Sequence, residues 1–253
     1  MKTAVISGGN GGLGRALAGR LEVEGWHCVL MDVNTEGLEA TETRTPVPPD
    51  LTDSEALNRA AASVVAERPS IDMVIYNAGV SQIGPFAESD EVSHRRVFEI
   101  NYFAAVAMAR AFLMPLRESG GVHLAISSVA GFAPLKNRTA YAASKHAMEG
   151  FFGSLRSEEL AHGVRCLIAA PSFVATNIGN TGPEADGIVR PGSAADGVDY
   201  MSPEDAAAVI LRGVARGRTF IPVGRVARLS WWIRRAAPGV YERMMRRRIS
   251  GEG

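Results

Sequence analysis

Short, continuous apolar runs alternate with stretches of helical spacing along most of the chain. Residues 2–7 (KTAVIS), 26–32 (WHCVLMD), 72–77 (DMVIYN), 121–127 (GVHLAIS), 164–170 (VRCLIAA) and 219–222 (TFIP) read as buried strands. Between them, Leu13, Leu17 and Leu21 repeat on one helical face over residues 13–24. Further helices are predicted over 53–67, 90–118, 141–162 and 203–216, the first with Asp53 as its N-cap. Strands without polar alternation, each followed by a helix, predict parallel strands covered on both faces. The fold class is therefore α/β, a single doubly wound parallel sheet. A strand is also expected near 44–50 (RTPVPPD). Its three prolines restrict it to the sheet edge, where the third strand of a 3-2-1-4-5-6 order lies.

Composition adds limits rather than identity. The chain has 253 residues, 46% hydrophobic and 21% charged, which is ordinary globular usage. Formal net charge is zero, so no global field recruits nucleic acid. The balance is uneven along the chain: residues 225–248 hold eight arginines against one acid, Glu242. Cys28 and Cys166 each sit in an apolar run, without a CxxC or a Cys/His cluster, so neither a disulfide framework nor a metal site is expected. A reducing, cytoplasmic setting is the expectation. No apolar stretch reaches the 18 residues that suggest a membrane span.

Two stretches carry candidate chemistry. SGGNGGLG, residues 7–14, joins the first strand to the first helix. Glycines there allow a tight turn and close approach of a pyrophosphate, and the helix N-terminus supplies free N–H groups. Asp32 ends the second strand, where a carboxylate accepts both hydroxyls of an adenosine ribose and repels a 2′-phosphate. Neither Gly11 nor Val33 is basic, which favours NAD over NADP. The second stretch is YAASK, residues 141–145. Tyr141 and Lys145, four apart on a predicted helix, share one face.

With Gly8, Gly12, Gly14, Asp32 and YAASK in their order and spacing, the chain resembles the short-chain dehydrogenase/reductase family from residue 1 to about 221. The resemblance implies a Rossmann-type fold and an oxidoreductase acting on CH–OH groups. It implies cofactor contacts from Asn10 and Leu13 in the glycine loop, Asp50 and Leu51 (PDLTD), Asn77, Ala78 and Gly79 (YNAG), and from Tyr141 and Lys145 themselves. Pro171, Val174 and Thr176 of PSFVAT would hold the nicotinamide, with Ser172 where the family usually has Gly. Tyr76 likewise stands where many members have a second Asn. Asn101 (FEINYFAA) would hold a water beside Lys145, and Ser128, thirteen residues before Tyr141, would be the catalytic serine. Ser127, one residue earlier, would face the other side of the sheet. In such a site Tyr141 is the acid/base, and the Lys145 ammonium is expected to lower its pKa.

The substrate side is less specific. Residues 177–200 are long, glycine-rich and read as a lid within a domain of residues 1–222. Residues 223–253 form a basic amphipathic tail with Pro238 dividing two short helices. Such a tail can lie on an anionic membrane, which would make a cytoplasmic protein peripheral, or pack on the body or a dimer mate. The tail resembles, loosely, those of relatives acting on steroids, retinoids and other lipophilic alcohols. The primary reading is an NAD-dependent enzyme interconverting a lipophilic secondary alcohol and its ketone, as a homodimer or homotetramer. The alternatives are an NADP-linked ketone reductase and a nucleotide-sensing protein that has lost catalysis.

Overall fold

A computed structural model of the chain describes residues 1–176, 188–189 and 200–243. In chain order the elements are β1 (Thr3–Ser7), α1 (Gly12–Val23), β2 (His27–Met31), β3 (Arg44–Val47), α2 (Ser54–Glu67), β4 (Met73–Tyr76), β5 (Ser81–Gln82), α3 (Glu91–Phe98), α4 (Ala104–Ala111) and α5 (Leu113–Ser119). There follow β6 (Val122–Ile126), α6 (Thr139–Glu159), β7 (Arg165–Pro171), β8 (Ile188–Val189), α7 (Pro203–Ala215), β9 (Phe220–Val223) and α8 (Arg225–Ala236).

Seven strands form one parallel sheet in the order β3-β2-β1-β4-β6-β7-β9. Side chains alternate along each strand, and both faces are covered. Ala4 and Ile6 of β1 pack with Leu17 and Leu21 of α1 and Ile210 of α7. Val5, between them, packs on the opposite face with Leu57 of α2, Met108 of α4 and Phe152 of α6. A fully buried side chain such as Ile6 contributes about 1.5–3 kcal/mol relative to exposure. Cys28 and Cys166 are buried strand residues, and burial pushes both thiols up to about 12. β3 is an edge strand with Pro46 at its third position, and β9 forms the other edge with Pro222.

Capping follows the sequence. The Asp53 carboxylate accepts the N–H groups of Glu55 and Ala56 at the start of α2. Asp90 accepts the Ser93 N–H at the start of α3. The helix expected over 90–118 is not continuous. A π turn occupies Glu99–Phe103, and the axis bends by 54° between α4 and α5 at Phe112. Pro115 explains the second break. It has no N–H to donate to Ala111, and its ring clashes with that carbonyl. A second, two-stranded sheet was not legible in the sequence: β5 pairs antiparallel with β8, Ser81 opposite Val189 and Gln82 opposite Ile188. Apart from β8 and Tyr200, the expected lid at 177–200 lies outside the described residues. The tail does divide at Pro238: α8 ends at Ala236 and helix resumes from residue 238. Among the described residues no single helix is long and apolar enough to cross a membrane.

Candidate active site

The C-terminal ends of the strands open into one cavity of about 730 Å³. Gly8, Gly12 and Leu13 line it at the end of β1, Asp32 after β2, and Asp50 and Leu51 after β3. Asn77, Ala78 and Gly79 line it after β4, Ser128 after β6, and Pro171, Val174 and Thr176 at the end of β7. Tyr141 and Lys145 reach it from α6. Crevices at strand C-termini are where ligands bind in open α/β sheets.

The glycine loop has the shape of a phosphate cradle. Gly8 has φ +61°, and a Cβ there would stand 2.9 Å from Ala78 Cα. A Cβ on Gly14 would overlap the Gly8 carbonyl oxygen. A Cβ on Gly12 would stand 3.1 Å from the Thr176 carbonyl oxygen, closing the gap to the loop after β7. The N-cap of α1 is Gly11, which makes no side-chain cap, so the first-turn N–H groups stay open to an anion. Asn77 fastens this loop. Its Nδ2 donates to the carbonyls of Ser7 (3.1 Å) and Gly8 (3.0 Å). A nucleotide pyrophosphate fits this space and these donors.

Three of the expected residues stand behind the cavity wall. Asn10 turns its amide away, donating to the carbonyls of Asn34 (2.8 Å) and Glu36 (3.1 Å) and accepting from Arg15. Its backbone N–H donates to Asp32 Oδ2 at 3.0 Å, and the Asn34 N–H to Oδ1 at 3.2 Å. These two bonds orient the Asp32 carboxylate at the cavity rim. Gly14 lies beneath the loop. Asn101 is fully buried in the π turn. Its Oδ1 accepts the Val80 N–H (2.8 Å), and its Nδ2 donates to the Val80 carbonyl (2.9 Å) and to Ser144 Oγ (2.9 Å). Gly79 separates it from Lys145: a Cβ there would stand 3.3 Å from Asn101 Oδ1 and 3.5 Å from Lys145 Nζ. The Asp50 carboxylate lines the cavity but accepts from the Thr52 hydroxyl and N–H, and these bonds hold its pKa below the usual range.

At the other end of the cavity, Tyr141 and Ser128 both line the wall, and Ser128 Oγ accepts the Ala130 N–H at 3.2 Å. Ser127 faces away from them and donates to Glu149 at 2.6 Å. Lys145 Nζ donates to the Ile126 carbonyl at 2.9 Å and stands 5.8 Å from the centre of the Tyr141 ring. Burial pushes the Tyr141 phenol up, while the Ser128 side chain and the Arg138 charge pull it down. Burial also brings Lys145 down to about 8. In the protein without cofactor the influences that pull the phenol down are Ser128 and Arg138, while the Lys145 ammonium is tied to the Ile126 carbonyl. Arg138 was missed in the sequence. It stands at the N-cap of α6, three residues before Tyr141, outside the helical spacing that could have signalled it.

Ser172 also has a local account. Its N–H and hydroxyl both donate to the Val223 carbonyl, at 3.0 and 3.3 Å. Gly224, at φ +94°, leaves room for it, since a Cβ there would overlap Ser172 Oγ. Among the described residues no cluster of three or more His, Cys, Asp or Glu could hold a metal ion.

The family model described as short chain dehydrogenase matches residues 2–186. Dehydrogenase/reductase SDR family member 7B of Bos taurus is 33% identical over 267 residues, covering 98% of this chain and 81% of its own. The Xenopus laevis protein of the same name is 32% identical over 260 residues, covering 95% and 80%. Among solved structures, a short chain dehydrogenase from Burkholderia cenocepacia J2315 in complex with NADP has a TM-score of 0.84 at 24% identity, over 96% of each chain. Another from Burkholderia phymatum, in complex with NAD, has a TM-score of 0.75 at 23% identity, over 87% of this chain and 88% of that one. By fold, by sequence and by the match of the family model to most of its length, this chain belongs to the short-chain dehydrogenase/reductase family and is an NAD(P)-dependent dehydrogenase/reductase.

Proposed function

We propose that the protein interconverts a lipophilic secondary alcohol, steroid- or retinoid-like or aromatic, and its ketone, with NAD as the hydride partner. The observation that carries this reading is that Tyr141 and Ser128 line the same cavity, with Lys145 one helical turn after Tyr141 on α6. The nicotinamide, when bound, accepts or supplies the hydride. Asp32 would hold the adenosine ribose hydroxyls, the Gly8–Gly12 backbone and α1 N-terminus the pyrophosphate, and Val174 and Thr176 the carboxamide end. Lys145 would hold the other ribose. Tyr141 Oη takes the alcohol proton in oxidation and returns it in reduction, and Ser128 Oγ holds the substrate oxygen in line. Asn101, by fixing Val80 beside Gly79, would keep a path for water from Lys145 to solvent. Ile83, Val92, Val129, Leu135, Phe173 and Tyr200 give this end its apolar wall, which supports a lipophilic substrate.

The choice of NAD rests on Asp32. The cations lining the cavity, Arg95, Arg96, Arg138 and Lys145, belong to α3 and to α6 with its N-cap, not to the Asp32 rim. The Burkholderia cenocepacia neighbour carries NADP, so an NADP-linked reductase is the second reading of the same site. Assembly as a homodimer or homotetramer would use the helical faces, where Phe103 (50%) and Met114 (57%) are exposed. Contact of the tail with an anionic membrane is supported by Leu229 (58%) and Trp232 (66%), exposed on the face of α8 that also carries Arg225 and Arg228.

The test is a turnover screen of steroid, retinoid, aliphatic and aromatic secondary alcohols with NAD⁺ and NADP⁺, with Tyr141→Phe as the blank. Turnover present in the wild type and lost by at least about a hundredfold in the variant, which still binds NADH, is expected. Equal turnover in both would remove Tyr141 from the reaction, and silence in both would favour the nucleotide-sensing alternative.

A further inference from the structure

Glu149 is a partly buried carboxylate that the reaction as described does not use. It lies one helical turn after Lys145 on α6, so the two share a face. Its Oε1 accepts the Ser127 hydroxyl at 2.6 Å, from the residue just before Ser128. The space it fills exists because residue 131 is glycine: a Cβ there would overlap both Glu149 Oε1 and Ser127 Oγ. The groups whose charge reaches Glu149 are His146 and Lys145 on its own helix and Arg235 on α8. Around Lys145 the neighbours are Tyr141 and Met148 on α6, the Ile126 carbonyl of β6, and Asn101, held off by Gly79. None of these neighbours carries a negative charge at neutral pH, and Glu149 supplies the opposing charge that Lys145 feels.

We propose that Glu149 is a positioning residue that keeps Lys145 an ammonium in its buried site, and that Ser127 and Gly131 are there to hold the carboxylate in place. A buried ammonium loses hydration and needs a compensating charge to remain protonated. The Ile126 carbonyl accepts one hydrogen bond but brings no net charge, so the compensation falls to Glu149. Burial pushes the Glu149 carboxyl up, and the Ser127 bond is the first of the influences that oppose this and favour its ionised form. Arg235 adds a cation from the tail, which couples the tail electrostatically to the catalytic helix.

This inference rests on Lys145 being part of the reaction, but it can be read without turnover. The chain has only three lysines, Lys2, Lys136 and Lys145. With ¹³C-lysine in the full-length protein, the Cε signal of each can be titrated separately, the first two serving as internal controls. In Glu149→Gln, which keeps an acceptor for Ser127, the Lys145 midpoint is expected to fall by about one pH unit, with Lys2 and Lys136 unmoved. Glu149→Asp keeps the charge and is expected to leave the midpoint nearer the wild-type value. An unmoved Lys145 midpoint in Glu149→Gln, or an Asp variant that falls as far as Gln, would overturn the proposal. Neither result depends on whether a substrate has been found.

Discussion

At the scale of single residues, the site depends on a few atoms whose surroundings are fixed by the backbone. Asp32 is oriented by two N–H groups, from Asn10 and Asn34, and still has lone pairs to offer. Asp32→Ala should lower the preference for NADH over NADPH by about tenfold or more, read as the ratio of the two dissociation constants. An unchanged ratio would move cofactor choice to another residue. Gly14→Ala tests the cradle, because its methyl would overlap the Gly8 carbonyl oxygen. It should lose nucleotide binding and about 1–3 kcal/mol of stability, measured by NADH titration and urea unfolding. The glycine loop, Asp32 and the Tyr141–Lys145 pair were legible in the sequence because their spacing along the chain already places them. The jobs of Asn10 and Arg138 were not. The Asn10 side chain turns away to the Asn34 and Glu36 carbonyls while its backbone N–H braces Asp32, and Arg138 acts on Tyr141 through its charge. Neither direction is written in residue spacing.

At the scale of elements, the predicted strands and helices stand near their expected positions, and the departures have local causes. The long helix expected over 90–118 is cut by Pro115 and by the π turn that carries Asn101. Helical spacing cannot reveal the π turn, because the extra residue changes the helical phase without changing the composition. The proline was visible and should have ended the helix. Pairing of β5 with β8 was hidden because two-residue strands have no periodicity to read. The π turn aims Asn101 at Val80 and Ser144, tying the segment after β4 to α6. Asn101→Ala would orphan both backbone groups of Val80 and the Ser144 bond. A loss of about 2–4 kcal/mol in urea unfolding is expected, with NADH binding weakened as well. A loss below about 0.5 kcal/mol would mean that the turn holds itself without the side chain.

At the scale of the whole molecule, stability should depend on pH through a buried pair outside the cavity lining. The Tyr76 hydroxyl and His123 Nδ1 share a hydrogen bond of 2.6 Å, both residues are buried, and burial brings His123 down to about 4. The unfolded histidine has its ordinary value of about 6.5, so between these limits the unfolded chain binds the extra proton. Stability is therefore full above about pH 6.5 and falls as the pH drops toward 4, by about 3 kcal/mol in all. Burial shifts His27 in the same direction. Urea unfolding at a series of pH values should show this slope, and His123→Leu should flatten it whatever it does to the stability at pH 7. The two edges of the sheet have a different consequence. In β3 the carbonyls of Thr43 and Val47, either side of Thr45, point inward to β2, and in β9 those of Thr219 and Val223 point inward to β7. Pro46 and Pro222 therefore sit at outward-facing positions, where each edge lacks a donor near its middle. A strand arriving from another chain would find its ladder interrupted on either side. One missing donor on each edge disfavours growth of the sheet by strand addition and so guards the protein against fibre-like stacking.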